Sequence, residues 1–140
     1  MVIIPATMVP DNAEIARRAY AAWNRADLEA FVECYHPDTE IRPFLSDLSG
    51  KVYRGREGAR HWYEDANEPW DQLLAEPERI LGDGDELVIL VHARGRGHGS
   101  GIEIEAHIVH VVTFEDGTVK RLESFPSEDD ARRALGARWP

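Results

Sequence analysis

Residues 102–125 read IEIEAHIVHVVTFEDGTVKRLESF, two runs of alternating residues that flank the turn segment EDG. Alternation with a period of two is typical of β-strands, and a short connection that contains glycine is typical of a hairpin. This stretch therefore predicts antiparallel strands at 102–114 and 118–125. Two more such runs, at 72–81 and 86–96, are joined by GDGD, so the four strands are expected to form an antiparallel meander.

The residues before the meander are predicted to be mainly helical, because their apolar residues recur at helical spacing. Asp11 followed by Glu14 indicates a capping box for a helix that ends near Asn24. Asp27 can cap a second helix, and His36-Pro37 is expected to end it because the residue before a proline disfavours helical backbone.

Three further elements complete the predicted order. A short strand is expected at 39–44, and a third helix begins at Gly55 and stops before Pro69. Ser127 with Asp130 indicates the cap of a short final helix.

This order of elements predicts an α+β fold, with a curved antiparallel sheet wrapped around the N-terminal helices. Such a sheet encloses a cone that is open at one end, a natural place for a small-molecule pocket. The expected boundaries are an N-terminal extension at 1–10, a single domain at 11–136 and a C-terminal tail at 137–140.

Charge and composition limit the expected partners. The 140 residues carry a formal net charge of −10, and such a surface repels phosphate backbones and anionic lipids. No run approaches the roughly 20 apolar residues needed to cross a bilayer. The N-terminal MVIIPATMVP lacks the basic region of a signal peptide. We therefore expect a cytoplasmic protein that binds neither nucleic acid nor membrane.

Motifs for metals and nucleotides are missing from the sequence. The single cysteine, Cys34, excludes zinc sites built on cysteine pairs. His107 and His110 are three residues apart in one strand, so they point to opposite faces and do not converge on one metal ion. RGRGHGSG, residues 94–101, lacks the spacing and the following helix of a phosphate-binding loop. We expect no metal and no cofactor.

The same alternation predicts different surroundings for the two histidines. His110 shares its side of the strand with apolar residues, which indicates the inner face: Ile102, Ile104, Ala106, Ile108, Val112 and Phe114. His107 shares the other side with a mixed set, Glu103, Glu105, Val109 and Val111. This mixed face is expected to meet solvent or a second copy of the chain.

The residue opposite His110 depends on the EDG turn. A two-residue Asp116-Gly117 turn would place Glu123 there, whereas a three-residue loop would place Leu122 there. A carboxylate in that position would favour imidazolium and suit acid–base chemistry. The alternative is a core histidine bonded to a backbone carbonyl or to water.

His92 and Arg94 lie together on one side of the 86–96 strand. If the hairpin register matches, this side joins the face of His110, and the two residues can bind a carbonyl, a carboxylate or an enolate. If it does not, they meet solvent at the end of the strand.

Three segments resemble the nuclear transport factor 2-like superfamily, and within it the SnoaL-like and ketosteroid-isomerase-like branch. They are ARRAYAAWNRADLEAFVECYHPDTEIRPF, YRGREGARHWY and HVVTFEDGTVKRLESF. The resemblance covers about residues 11–135. It implies a cone-shaped, cystatin-like α+β roll, a homodimer, and a cofactor-free pocket between sheet and helices.

The resemblance also implies roles for particular residues. Tyr20 falls on the tyrosine that donates to the substrate oxygen, and His110 falls on the neighbouring aspartic-acid donor. The aspartate base of the isomerases falls at Arg42-Pro43, where neither residue can accept a proton. A steroid isomerase is therefore not expected, and His110 resembles instead the pocket acid or base of SnoaL-like cyclases.

The resulting hypothesis is a cofactor-free SnoaL-like enzyme of isomerase, cyclase or lyase type that acts on an apolar carbonyl compound. Tyr20 and His110 are the candidate catalytic residues. The candidate substrate-binding residues are Trp23, Phe31, Arg42, Phe44, Trp62, His92, Arg94 and Phe125. The alternative is a non-catalytic ligand-binding or dimerisation module on the same fold.

Overall fold

The computed structural model describes residues 11–43 and 51–140. Phe44, which was expected in the first strand and in the pocket wall, lies outside the described residues. The same holds for the extension expected at 1–10.

The described helices begin where the sequence predicts. They are α1 (Asn12–Asn24), α2 (Leu28–Glu33), α3 (Gly55–Asn67) and α4 (Glu128–Leu135). The carboxylate of Asp11 accepts the backbone N–H of Glu14 at 2.8 Å, and the carboxylate of Asp27 accepts that of Ala30 at 3.2 Å. The Ser127 hydroxyl caps α4 in the same way. The expected starts of these helices are confirmed.

Within the described residues, six strands form one curved, unclosed sheet. They are β1 (Tyr35–Arg42), β2 (Tyr53–Arg54), β3 (Trp70–Leu81), β4 (Glu86–Gly97), β5 (Glu103–Glu115) and β6 (Thr118–Phe125). Their order in the sheet is β2-β1-β6-β5-β4-β3. The expected antiparallel meander from β3 to β6 is confirmed, and β1 joins β6 in parallel, so the whole sheet is mixed.

The boundary between α2 and β1 differs from the prediction. The helix ends at Glu33, and β1 begins at Tyr35, so His36-Pro37 lies in a strand. Pairing with β6 explains the early start, since Tyr35 is already in register with Val119. The proline is tolerated because it falls where the register of this pairing shifts and a ladder hydrogen bond is not required.

Apolar residues cover both faces of the sheet. The larger cluster lies on the concave face, where α1, α2 and α3 pack on residues such as Ile41, Ile89 and Leu122. On the convex face α4 covers a smaller cluster of Val88, Val109, Val111, Ala131 and Leu135, with Trp139 of the expected tail packed against it. Val109 and Val111 are therefore buried within the chain, and of the mixed face of β5 the exposed residues are Glu103, Glu105 and His107.

Gly58 in α3 provides a test of this packing. A Cβ at this position would lie 2.9 Å from the backbone carbonyl carbon of Tyr53, closer than atoms can approach. Glycine to alanine in a helix normally stabilises by about 1 kcal/mol. For Gly58→Ala we expect instead a loss of about 1–3 kcal/mol in the free energy of unfolding, measured in urea, because the contact must be relieved by backbone movement.

The matched control is Gly84→Ala, where an added Cβ meets no atom within 4 Å. It should leave the free energy of unfolding unchanged or slightly higher. A Gly58→Ala protein as stable as this control would show that α3 does not pack against Tyr53 at this distance.

Candidate active site

An apolar cavity of about 320 Å³ lies between the concave face of the sheet and the helices α1 to α3. Aliphatic and aromatic side chains form most of its wall. Its polar side chains are those of Tyr20, Tyr35, Ser124 and His110, with Asp65 at the exposed edge. A more open depression of about 620 Å³ lies at the start of β5, but its charged side chains are engaged in ion pairs at the surface. We therefore assign the candidate site to the apolar cavity.

Two buried residues meet in this cavity. The Tyr20 hydroxyl, presented by α1, lies 2.5 Å from Nδ1 of His110 on β5. Their rings are nearly parallel, with centroids 5.8 Å apart. The predicted inward direction of His110 is confirmed, and so is the outward direction of His107, whose side chain is 70% exposed and lies 3.1 Å from the Glu78 carboxylate.

Both members of this pair are uncharged at neutral pH. Burial raises the pKa of Tyr20 far above its ordinary value, so the residue stays a phenol. Burial lowers the pKa of His110 from 6.5 to about 4, so the ring is a neutral imidazole. An imidazolium at this position would require a carboxylate opposite His110.

Neither of the two residues expected opposite His110 takes that place. Ser124 does, and it is buried. Asp116 and Gly117 both have positive φ, as a two-residue turn requires, and this turn pairs Glu115 with Thr118.

A β-bulge explains why this turn does not place a carboxylate in the cavity. Phe114 is in register with Val119, but Thr113, the residue before Phe114, is in register with Arg121. Lys120 is therefore an extra residue in β6. The insertion moves every later pairing by one. Glu123 consequently lies opposite Val111, on the other face.

Three of the predicted aromatic residues surround the cavity. Trp23, Phe31 and Trp62 all line it, and the Trp23 ring centroid is 5.2 Å from that of Phe31 and 5.1 Å from that of Trp62. The Trp62 ring also meets the His110 ring edge to face, at 6.3 Å. The Trp23 indole N–H donates to the Leu73 carbonyl at 2.9 Å, so the cluster is fixed to β3.

The structure does not bring His92 or Arg94 to this cavity. They were expected there only if the register of the β4–β5 hairpin placed them on the face of His110, and it does not. Ile89 is opposite His110, so the odd-numbered residues of β4 share the concave face with His110. His92 is opposite His107 and lies on the convex face. The two imidazole rings stack there with centroids 4.6 Å apart. Arg94 lies 3.5 Å from the Glu76 carboxylate on the same face.

Arg42 and Phe125 also lie away from the cavity, although both were expected to bind substrate. Ile41 points into the core, so Arg42 points outward and forms an ion pair with Glu40. Phe125 is opposite Val109 and packs in the cluster under α4. In both cases strand alternation puts the side chain on the convex face.

Three polar cavity residues were missed by the sequence reasoning. Tyr35 was assigned to a helix and lies in β1, where burial raises the pKa of its phenol. Ser124 reaches the cavity only because of the bulge in β6. Asp65 lies one turn after Trp62 on α3, a spacing that the helical pattern contained; its carboxylate accepts from Lys51 and Tyr53, each at 2.7 Å, and these bonds lower its pKa.

A possible metal ligand set among the described residues is His36, Glu115 and Asp116, whose ligand atoms lie within 4.8 Å of one another. The hydrogen bonds of His36 do not fit a metal ligand. The Asp38 backbone N–H donates to Nδ1 at 2.9 Å, which leaves the ring proton on Nε2, 3.1 Å from Glu115. A metal ion at Nε2 would displace this proton to Nδ1. The protonated Nδ1 would then face the Asp38 N–H, which is also a donor.

The fold and the cavity define a class: α+β domains in which a curved sheet and three helices enclose an apolar pocket. The chain belongs to the SnoaL-like family, since the family model of the SnoaL-like domain matches residues 16–122. An uncharacterised protein of Mycobacterium tuberculosis is 29% identical over 128 residues, which cover 90% of this chain and 96% of that protein.

Solved structures share the fold at low identity. TerC, co-crystallised with polyporic acid, superposes with a TM-score of 0.73 at 20% identity, covering 87% of this chain and 95% of TerC. A protein of Catenulispora acidiphila with a ketosteroid isomerase-like fold, in complex with trimethylamine, gives 0.73 at 17% identity, covering 91% and 97%. At these identities the likeness establishes the fold. Within 11–43 and 51–140, no helix is long and apolar enough to cross a membrane.

The lowered pKa of His110 predicts how stability depends on pH. The unfolded chain binds a proton on this imidazole below about pH 6.5, whereas the folded chain does so only below about pH 4. The free energy of unfolding should therefore fall as the pH is lowered through this window, by on the order of 3 kcal/mol from His110 alone. Urea unfolding of the wild type and of His110→Gln, at several pH values, isolates this contribution as a difference.

His107→Gln is the control, because His107 is exposed on the opposite face of the same strand. Its stability should follow the pH dependence of the wild type. A wild type and a His110→Gln protein with parallel curves between pH 6.5 and 4 would show that His110 is not neutralised by burial.

Proposed function

We propose that the chain is a cofactor-free SnoaL-like enzyme of isomerase, cyclase or lyase type that acts on an apolar carbonyl compound. The observation that carries this proposal is the buried pair of Tyr20 and His110 on the wall of a cavity that is otherwise almost entirely apolar. Membership of the SnoaL-like family supports it. So do the small molecules bound by TerC and by the protein of C. acidiphila, which have the same fold.

The neutrality of the pair determines the chemistry it can perform. In one tautomer the phenol donates to Nδ1 of His110, and Nε2 carries the ring proton. In the other, Nδ1–H donates to the Tyr20 oxygen, the phenol O–H is available to a ligand, and Nε2 accepts. Conversion between the two moves protons through both residues without creating a buried charge, which would be costly.

This second tautomer can convert a ketone to its enol. Nε2 of His110 takes the proton from the carbon next to the carbonyl, Nδ1 gives its proton to the Tyr20 oxygen, and the Tyr20 O–H proton goes to the carbonyl oxygen. The electron pair of the broken C–H bond forms the C=C bond of the enol, and the C=O π pair becomes the new O–H bond. The protein ends in the first tautomer, still uncharged.

The expected ligand is itself uncharged. Arg42, His92 and Arg94, the cationic or ionisable residues among the candidate substrate-binding set, lie outside the cavity. Among its described lining residues the charged side chain is the carboxylate of Asp65. A carboxylate or phosphate in this cavity would lose its water and gain no cation, which disfavours binding. The aromatic wall favours a flat, apolar compound.

The proton relay predicts the effect of removing either member. Enolisation can be followed without knowing the natural substrate, as the exchange of the α-protons of β-tetralone, a neutral ketone, for deuterium by NMR. Removing one donor to a developing enolate costs on the order of 100- to 1,000-fold in rate. We expect such a loss in both Tyr20→Phe and His110→Ala.

His107→Ala is the control and should exchange at the wild-type rate, since His107 lies on the other face of β5. Because both test residues are buried, a folded state must be verified for each variant by circular dichroism. Folded variants that exchange as fast as the wild type would contradict the relay. If the wild type binds β-tetralone without catalysing exchange and the two variants lose this affinity, the non-catalytic binding module is favoured.

We also propose that the chain forms a homodimer through the start of β5. The large hydrophobic residues Ile102 and Ile104 are 64% and 48% exposed there, beside charged residues that include Arg94 and Glu105.

Light scattering should give twice the 15.8 kDa of one chain. Ile102→Asp with Ile104→Asp should give the monomer, whereas Glu115→Ala, at the far end of β5, should not. A monomeric wild type at micromolar concentration would contradict the proposal.

A further inference from the structure

Trp70, the first residue of β3, is turned toward the cavity by a β-bulge. It is in register with Gly97, while the next registered pair is Gln72 with Arg96, so Asp71 is an extra residue. Without the insertion, alternation would put Trp70 on the convex face together with Gln72. With it, the indole lies at the half-exposed rim of the cavity, next to Pro69.

A glycine provides the surface on which this indole lies. Along the concave face of β4 the side chains become smaller toward the hairpin tip, in the order Ile89, Val91, Ala93 and Gly95. A Cβ at Gly95 would be 2.9 Å from both Cδ2 and Cε3 of Trp70. The indole therefore rests on the backbone of β4, and any side chain at this position would displace it.

The β4–β5 hairpin tip holds Trp70 from both sides. The backbone N–H of His98 donates to the Pro69 carbonyl at 2.9 Å. Nδ1 of the same histidine lies 2.6 Å from the Asp71 carboxylate. The residues before and after Trp70 are thus bound to one residue of the tip, and the cavity rim is tied to the hairpin.

We propose that Trp70 is a specificity-determining residue that limits the length of the ligand the cavity admits, and that His98 positions it. The proposal rests on the proposed function, in which the cavity binds an uncharged carbonyl compound. The indole closes one side of the opening, so a ligand that fits behind it is retained. A longer ligand must extend past the rim and displaces the indole from Gly95.

Prodan, a neutral aromatic ketone whose fluorescence reports apolar surroundings, and its hexanoyl homologue are the probes. The wild type should bind prodan more tightly than the homologue. Trp70→Ala should shift the ratio of the two dissociation constants by roughly tenfold in favour of the homologue, the scale expected for hydrophobic pocket contacts. Gly95→Ala should shift it in the same direction, while Gly84→Ala, a glycine with open space around it, should not.

The role of His98 is tested by kinetics. His98→Ala should speed prodan dissociation several-fold in stopped-flow measurements, and His98→Asn, which keeps a donor for Asp71, should restore the wild-type rate. His107→Ala is the matched control. That histidine also binds the carboxylate of a bulge residue of β3, Glu78, but on the face away from the cavity.

The outcomes separate the two proposals. Absence of prodan binding to the wild type would overturn both the proposed function and the role of Trp70. Binding to the wild type with an unchanged ratio in folded Trp70→Ala and Gly95→Ala would overturn the role of Trp70 alone. If Gly95→Ala does not fold, Trp70→Ala decides. Equal dissociation rates in His98→Ala and the wild type would remove His98 from the proposal.

Discussion

The hydrogen bond between Tyr20 and His110 is the constraint around which the concave side of the molecule is organised. A buried phenol or imidazole without a partner costs about 1–3 kcal/mol, and each of these groups is the partner of the other. The bond holds α1 at a fixed distance from the middle of the sheet. The Trp23 indole and the Asn24 side chain bind backbone groups of β3, at Leu73 and Ala75, so α1 is held at the sheet edge too. Directional bonds at both places resist collapse of the helix onto the sheet, and the cavity between them persists.

One-residue insertions determine which side chains reach that cavity. Asp71, Glu78 and Lys120 are extra residues in their strands, and each reverses the faces of the residues beyond it. The insertion at Lys120 places the hydroxyl of Ser124 opposite His110 instead of a carboxylate, so no charged residue of β6 faces the imidazole. Its pKa therefore falls through burial, where a carboxylate in the same place would have opposed the fall.

The sequence predicted those parts of the fold that depend on local chemistry. Capping at Asp11, Asp27 and Ser127 is a contact between residues three apart, and the inward direction of His110 follows from alternation within one strand. The helix-borne aromatic residues Trp23 and Trp62 lie on the cavity wall, a position that helical spacing also determines locally. His92 was not predictable in this way, because its face depends on the register between two strands. Nothing in an alternating pattern marks the bulge that turns Trp70 inward or the early start of β1, since both are set by a neighbouring strand.

The distribution of charge restricts how such a cavity can accelerate a reaction. The chain carries a net charge of −10 and its ion pairs lie mainly at the surface, while the described wall of the cavity contains a neutral phenol–imidazole pair at depth and one carboxylate at the edge. In the proposed enolisation, the described residues therefore offer no fixed cation to a developing enolate, and stabilisation comes from donated hydrogen bonds. Those bonds strengthen in an apolar enclosure, because the local dielectric is low and water does not compete. In the proposed function, excluding water serves the chemistry as well as binding, so the tryptophan at the rim and the pair at depth act together.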